Sequence, residues 1–321
     1  MKKEDRVLEF LRAAGKAYVS GEKISERLNV SRAYVWKEIM ALRRLGYRIE
    51  AHPHEGYRLV GIPDRLFPDE IARDLGTRRV GRQILSYKEI GSTNDAAFRL
   101  GEQGVGEGVS VFAEHQKKGR GRMGRSWVCP KGKGVLVSIL LRPILPPVEV
   151  SKMTLMAAVS VVRAVRQATG LKLGIKWPND ILAGGRKVCG ILTEMSAELD
   201  RVNFVVVGIG INVNASAREL PPGATSLKTL LGKKISRVEF ARALLREIDR
   251  DYERLIRGQF GKLAGEWEEH SVTSGKHVIV RTIGRKLEGV AAGIDADGAL
   301  WIRRDDGLQE KVLAGDVEHL R

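Results

Sequence analysis

SRAYVWKEIMALRRLGYRIEAHPHEGYRLV, Ser31 to Val60, decides how the N-terminal region folds. Ser31 is a good helix N-cap, and Val35, Ile39 and Leu42 recur on one helical face. Gly46 follows where a left-handed residue is needed to end the helix. The pattern then switches from helical period to alternation. YRIEAHPHEGYRLV alternates, breaks at His52-Pro53-His54-Glu55-Gly56 and resumes, which predicts a β-hairpin. Upstream, Val7, Leu8 and Leu11 form a helical stripe ending near Gly15. A second short helix follows Ser20, with Ile24 and Leu28 inward and Val30 closing the turn. Helix, helix–turn–helix and hairpin, in that order, predict a winged helix-turn-helix over residues 1–62.

If Val35, Ile39 and Leu42 point inward, helical phase sends Ala33, Lys37, Met40, Ala41 and Arg44 outward, with Tyr34 on a flank. A recognition helix offers its N-terminal residues to base edges. Arg32, Tyr34 and Lys37 are therefore the expected readers, while Arg43, Arg44 and the wing reach phosphates. Residues 1–60 carry thirteen cations against eight anions, a net of +5. A small domain for protein contacts with a solvated basic face would share this shape, and that alternative stays open here. His52 and His54 have no further ligands nearby and read as wing-tip residues. No metal site is expected.

Beyond the hairpin, IPDRLFPDE with Pro63 and Pro68 reads as a linker. From Ile84 to about Glu269, strands and helices mix. ILSYK, VSVFA, VLVSILL, Val188 to Met195 and NFVVVGIGI are the strand candidates. Ser151 to Thr169 is apolar nearly all round, which predicts a buried helix stopped at Gly170. Ser236 and Glu239 suggest a capping box opening a long helix to Arg257. In the last fifty residues, short β segments separated by DADG and DDG turns suggest a small antiparallel barrel. The expected class is α+β with three domains: 1–62, 63–271 and 272–321.

The 321 residues carry 55 Lys and Arg against 39 Asp and Glu, a formal net charge of +16. Such an excess favours polyanionic partners. Cys129 and Cys189 are the only cysteines, too few and too far apart for a disulfide framework or a cysteine zinc site. No apolar run is long enough for a membrane span, and MKKEDRVLEFLRAAGK has charges inside any signal core. A cytoplasmic protein without a membrane partner is expected.

EHQKKGRGRMGRSW, Glu114 to Trp127, is the run with the most chemistry in it. Lys117, Lys118, Arg120, Arg122 and Arg125 interleave with Gly119, Gly121 and Gly124, and no acid falls among them. Glycines let backbone N–H groups approach an anion, and the cations neutralise phosphates and carboxylates. With like charges and unrestrained glycines, the empty loop is expected to be mobile. A flexible RGG-like nucleic-acid tether has the same composition. GSTNDAA at Gly91, KWPND at Lys176, RKVCGIL with Lys187, and GIGINVN at Gly208 accompany the loop. The last is not a dinucleotide-binding signature, because its third glycine is missing.

GSTN, QxxGRGRxGRxW, KWPND, RKxxGIL and GxGxNV, in this order, resemble the biotin–protein ligase family. With the winged helix and terminal barrel, the chain is similar to its bacterial members that are both ligase and biotin-operon repressor. The resemblance implies a class II synthetase-like central domain and an SH3-like terminal barrel. It further implies that Ser92, Thr93, Asn94 and Gln116 hold the biotin head group, assisted by Arg120, Gly121 and Arg122. Lys187 would face the biotin carboxylate and the α-phosphate, with Asn212 on the adenine side. Lys187, Arg122 and Asp180 would carry the chemistry. The Ser-Thr-Asn group could equally serve as a helix N-cap. Biotin and ATP are the implied substrates, with Mg2+ on the ATP. Biotin carboxyl carrier protein, operator DNA and a second copy in a homodimer are the implied partners. A lipoate or octanoate ligase, and a transcription factor whose ligase body only senses a ligand, are the rivals.

Overall fold

The structure is a computed structural model and describes residues 3–282 and 284–320. The chain divides into two compact units after Asp64.

The first unit contains α1 (Lys3–Ala13), α2 (Gly21–Leu28), α3 (Arg32–Leu45), β1 (Arg48–His52) and β2 (Gly56–Gly61). Its caps follow the sequence pattern. The Ser20 hydroxyl accepts from the Lys23 N–H, and the Ser31 hydroxyl accepts from the Tyr34 N–H, both at 3.1 Å. Gly46 takes φ 100°, a conformation that favours glycine. Val7, Leu11, Ile24, Val35 and Ile39 make the core, and Leu28 is half-buried. β1 and β2 pair antiparallel around His52–Gly56. A Cβ on Gly56 would lie 2.1 Å from the Val19 carbonyl oxygen, so the hairpin can pass that close only with glycine there.

The second unit is built on a seven-stranded mixed sheet of order β3-β4-β5-β9-β8-β7-β6. These strands are β3 (Gln83–Tyr87), β4 (Val109–Ala113), β5 (Gly134–Leu141), β6 (Gly174–Lys176), β7 (Asp180–Ala183), β8 (Arg186–Ala197) and β9 (Val202–Asn212). Only β3 and β4 pair parallel, and α5 (Thr93–Glu102) connects them. Strand alternation sorts the sheet's two faces. Val111, Leu140, Phe204 and Val206 pack with Ala96 and Ala97 of α5. Phe112, Ile139, Val205 and Val207 face the main core with α6 (Ser151–Thr169), α8 (Arg237–Ile256) and α9 (Phe260–His270). α4 (Pro68–Ala72) and α7 (Leu227–Leu231) are short. α6 is buried from Met153 to Val165 apart from Thr154 and Arg163, as its apolar composition requires; its last turn is exposed, and it ends at Gly170 with φ 75°.

Two helical details differ from the sequence reading. Ser236 caps α8, but Glu239 bonds Arg242 at 2.7 Å, so only half of a capping box forms. The reciprocal box forms at Ser216 and Glu219 instead. α9 was not anticipated; Gly261 and Gly265 weaken its helical signal, and burial of Phe260, Leu263 and Trp267 stabilises it. The chain closes with an antiparallel five-stranded sheet of order β13-β12-β11-β10-β14. Its members are β10 (His277–Thr282), β11 (Arg285–Ile294), β12 (Leu300–Arg303), β13 (Gln309–Val312) and β14 (Asp316–His319).

Candidate active site

The cleft lies on the α5 face of the large sheet, and its floor is made of glycine. Gly190 of β8 stands opposite Gly210 of β9, and Leu192 opposite Gly208. A Cβ on Gly210 would fall 2.5 Å from the Trp127 indole, and one on Gly208 only 1.9 Å from Asn94 Oδ1. Side chains from two other elements therefore sit directly on the strand backbones. This is the physical content of the glycines in RKVCGIL and GIGIN.

One wall is the start of α5. Ser92 occupies the N-cap position with extended backbone, but its hydroxyl makes no capping bond. The N-cap alternative thus accounts for its position and not for its side chain. Thr93 donates from both N–H and hydroxyl to Gln116 Oε1, at 2.7 and 2.9 Å. Ser138 of β5, buried in an otherwise apolar strand, lies 2.7 Å from the Thr93 hydroxyl and 2.5 Å from Asn94 Oδ1. The Asn94 amide donates to the Leu192 carbonyl at 3.2 Å and to Glu194 at 2.7 Å. Ser92, Thr93 and Asn94 are all buried.

The loop from Glu114 to Trp127 forms the opposite wall. Lys117 and Lys118 N–H groups bond the carbonyls of Ile90 and Gly91, and the Trp127 N–H bonds that of Gly119. Four of its five cations reach partners outside the loop. Arg120 reaches Asp95 at 2.7 Å and Glu194 at 2.8 Å. Arg125 pairs with Asp316, Lys117 with Glu89 at 2.9 Å, and Arg122 donates to the Gly315 carbonyl at 3.1 Å. Repulsion among the cations, which motivated the expectation of a mobile loop, is offset by carboxylates from α5, β8 and the terminal sheet. None of these lies within the run that was read.

Lys187 Nζ sits 2.6 Å from Asp180 Oδ1 and 5.7 Å from the Trp127 ring centre. Burial lowers the Arg122 and Lys176 pKa values, with the Asp180 charge opposing in both. Asn179 donates to the Ile191 carbonyl at 2.8 Å, a bond that joins the β6–β7 turn to β8.

Ser92, Thr93, Asn94, Gln116, Arg120, Gly121, Arg122, Asp180 and Lys187 all line this one cleft. Asn212 does not. It is buried at the end of β9 with its amide donating to the Thr225 carbonyl at 3.2 Å, while its Oδ1 and the Thr225 hydroxyl lack partners among the described residues. Sequence reasoning passed over Asp95, Ser138, Glu194 and Asp316. Ser138 left a signal as the one polar residue in VLVSILL, and Asp95 stands beside Asn94 in GSTNDAA; Glu194 and Asp316 become site residues only through strand register and chain return. Among the described residues no group of three or more His, Cys, Asp or Glu is placed to hold a metal.

In the first unit Arg32, Lys37 and Arg44 are exposed on α3 and Tyr34 is half-buried. Met40 and Ala41, expected outward, are half-buried too. Arg43, expected to reach phosphate, donates to the Ile49 carbonyl at 2.8 Å and braces the helix against β1. Trp36, not singled out in the sequence, is 59% exposed.

Three family models match the chain in succession: HTH domain over residues 3–58, biotin/lipoate A/B protein ligase family over 87–212, and biotin protein ligase C terminal domain over 273–320. A bifunctional ligase/repressor BirA from Bacillus subtilis is 39% identical over 316 residues, covering 97% of this chain and 97% of that protein. A biotin–[acetyl-CoA-carboxylase] ligase from Mycobacterium tuberculosis is 36% identical over 272 residues, covering 80% of this chain and 98% of that one. The solved biotin protein ligase of Aquifex aeolicus, in complex with biotin and ATP, superposes with a TM-score of 0.64 at 30% identity. It covers 75% of this chain and 99% of its own. With identity running through nearly the whole chain and all three regions in order, the chain belongs to the biotin–protein ligase family, in its bifunctional ligase/repressor form.

Proposed function

We propose that this protein is an ATP-dependent biotin–protein ligase that also represses transcription from operator DNA. The observation that carries the ligase reading is the glycine-floored cleft, with small polar groups on one wall and Arg120, Arg122 and Lys187 around it. Ser92, Thr93, Asn94 and Gln116 suit a ureido-type head group, because they offer short donors and acceptors at fixed positions. Arg120, Gly121 and Arg122 close over the acyl-adenylate.

In the first step a biotin carboxylate oxygen bonds to the α-phosphorus of ATP, and pyrophosphate leaves. Two anions must meet, and Lys187 and Arg122 offset that repulsion most strongly as charge builds in the transition state. In the second step a lysine amine of biotin carboxyl carrier protein attacks the acyl carbon, AMP leaves, and Asp180 takes the amine proton. The Lys187 ammonium holds the Asp180 carboxylate in place for that transfer. Asn212, with an unpartnered buried oxygen, belongs to the adenine side. Mg2+ would enter as the ATP complex, where its charge would offset that of the phosphates.

The exposed Arg32, Lys37 and Arg44, with Tyr34 beside them, make α3 the DNA reader, and the adenylate acts as corepressor. One winged helix reads few base pairs, so a homodimer on a two-fold operator is the working assembly. We assign domain borders at 62/63 and 271/272, read the terminal sheet as an SH3-like barrel, and place the protein in the cytoplasm. No described helix is long and apolar enough to cross a membrane.

The test is one mixture of ATP, labelled biotin and carrier domain, with lipoate and octanoate in parallel. Biotin-dependent pyrophosphate release and carrier labelling are expected; release with lipoate or octanoate alone would overturn the reading. For the DNA arm, Arg32→Ala and Lys37→Ala should each weaken operator binding by ~1–3 kcal/mol in a filter or gel-shift titration, leaving ligation intact.

A further inference from the structure

We propose that Glu194 is a positioning residue for the acid-binding half of the cleft, a role that rests on the ligase reading above. Glu194 lies on β8 opposite Val206, two residues past Leu192 on the same face, with a quarter of its side chain exposed. Its Oε2 accepts from Asn94 Nδ2 at 2.7 Å and from Arg120 Nη2 at 2.8 Å. A single carboxylate thus ties the start of α5 to the glycine-rich loop.

The bond to Asn94 has an orientational consequence. The Asn94 amide has acceptors on its nitrogen side, Glu194 and the Leu192 carbonyl, and the Ser138 hydroxyl on its oxygen side. With Gly208 leaving no room for adjustment, these partners fix which way the amide faces. Without Glu194 the nitrogen keeps one long bond at 3.2 Å, and the amide can turn. Arg120 would keep only Asp95, whose side chain is 44% exposed and therefore a weak, screened partner. Asn94 connects through Ser138 to Thr93, and Thr93 to Gln116, so a disturbance at Glu194 reaches the whole wall. A merely structural carboxylate would satisfy fixed elements, whereas this one joins a wall to a loop.

The experiment uses the full-length protein with Glu194→Ala and Glu194→Gln, following pyrophosphate release against biotin and against ATP. Loss of a charged hydrogen-bond partner is expected to raise KM for biotin about tenfold in Glu194→Ala, with KM for ATP within about twofold. Glu194→Gln keeps an oxygen to accept from Asn94 and should fall between wild type and Glu194→Ala. Both variants should be cut faster by trypsin between Arg120 and Arg125. An unchanged biotin KM in Glu194→Ala, or a Gln variant as impaired as the Ala variant, overturns the proposal. If Glu194→Ala fails to fold, Glu194→Gln decides alone: a raised biotin KM or faster cleavage supports it, and wild-type values of both overturn it. A wild-type protein that releases no pyrophosphate with biotin takes down the ligase reading and this role together. An active wild type with unaffected variants retires Glu194 alone.

Discussion

On one face of the seven-stranded sheet, Arg163 and Arg254 meet Glu247, Asp251 and Glu266; on the other, Arg120 and Arg125 meet Asp95, Glu194 and Asp316. The chemistry is the same and the settings are not. Asp251 is fully buried between α6 and α8, where Ser160 donates to it at 2.7 Å and Arg254 at 3.2 Å. All five residues of that network lie on packed helices. In the loop, by contrast, Arg125 is 62% exposed and its neighbours include three glycines. A buried charge that loses its partner is stranded, so the helical network is fixed once the protein folds. A screened pair on a glycine-rich loop opens at small cost, so the loop arginines can exchange their carboxylates for a ligand's carboxylate and phosphate.

This contrast is tested most severely at Asp251. Asp251→Ala should lower stability by about 3–5 kcal/mol in urea denaturation, while KM for biotin and ATP hold below the melting range. A loss under about 1 kcal/mol would make the two clusters energetically alike. Lys187→Ala should do the reverse. Adenylate formation should fall by a factor corresponding to ~2–4 kcal/mol in the transition state, with the melting temperature kept. Near-normal pyrophosphate release would remove Lys187 from the chemistry. The smallest effect belongs to Asp316→Ala, which should cost under about 1 kcal/mol of stability and yet speed trypsin cleavage between Gly119 and Arg125. Biotin with ATP should protect that segment in wild type and variant. Equal cleavage with and without ligand would show that the loop arginines are held as firmly as the helical ones.

Much of the site was legible in the sequence because its residues travel in short motifs. Ser92-Thr93-Asn94, the GRGR loop and Lys187 each stand at the end of a recognisable strand, and all reach the same cleft. What escaped was whatever comes from a distant strand. Glu194 and Asp316 have no motif around them: β8–β9 register brings Glu194 to Arg120 and the terminal sheet brings Asp316 to Arg125, whereas Asp95 sits beside Asn94 within GSTNDAA. Charge counted within the loop run leaves out the acids that pair with its arginines, because those acids lie elsewhere in the sequence. Asn212, expected on the adenine side, lies outside the lining of that cleft, with its amide donating to the Thr225 carbonyl.

The sequence alone determined the winged helix, because its caps, phase and hairpin break are local interactions within thirty residues. It also marked the cations and glycines, Arg120 and Lys187 among them, that the fold gathers around one cleft. The tertiary structure decided which carboxylates those cations meet and which arginines are structural. Some of those outcomes depend on partners more than seventy residues apart, such as Arg120 with Glu194. Side-chain periodicity reports the face a residue occupies, whereas its partner depends on how that face is packed.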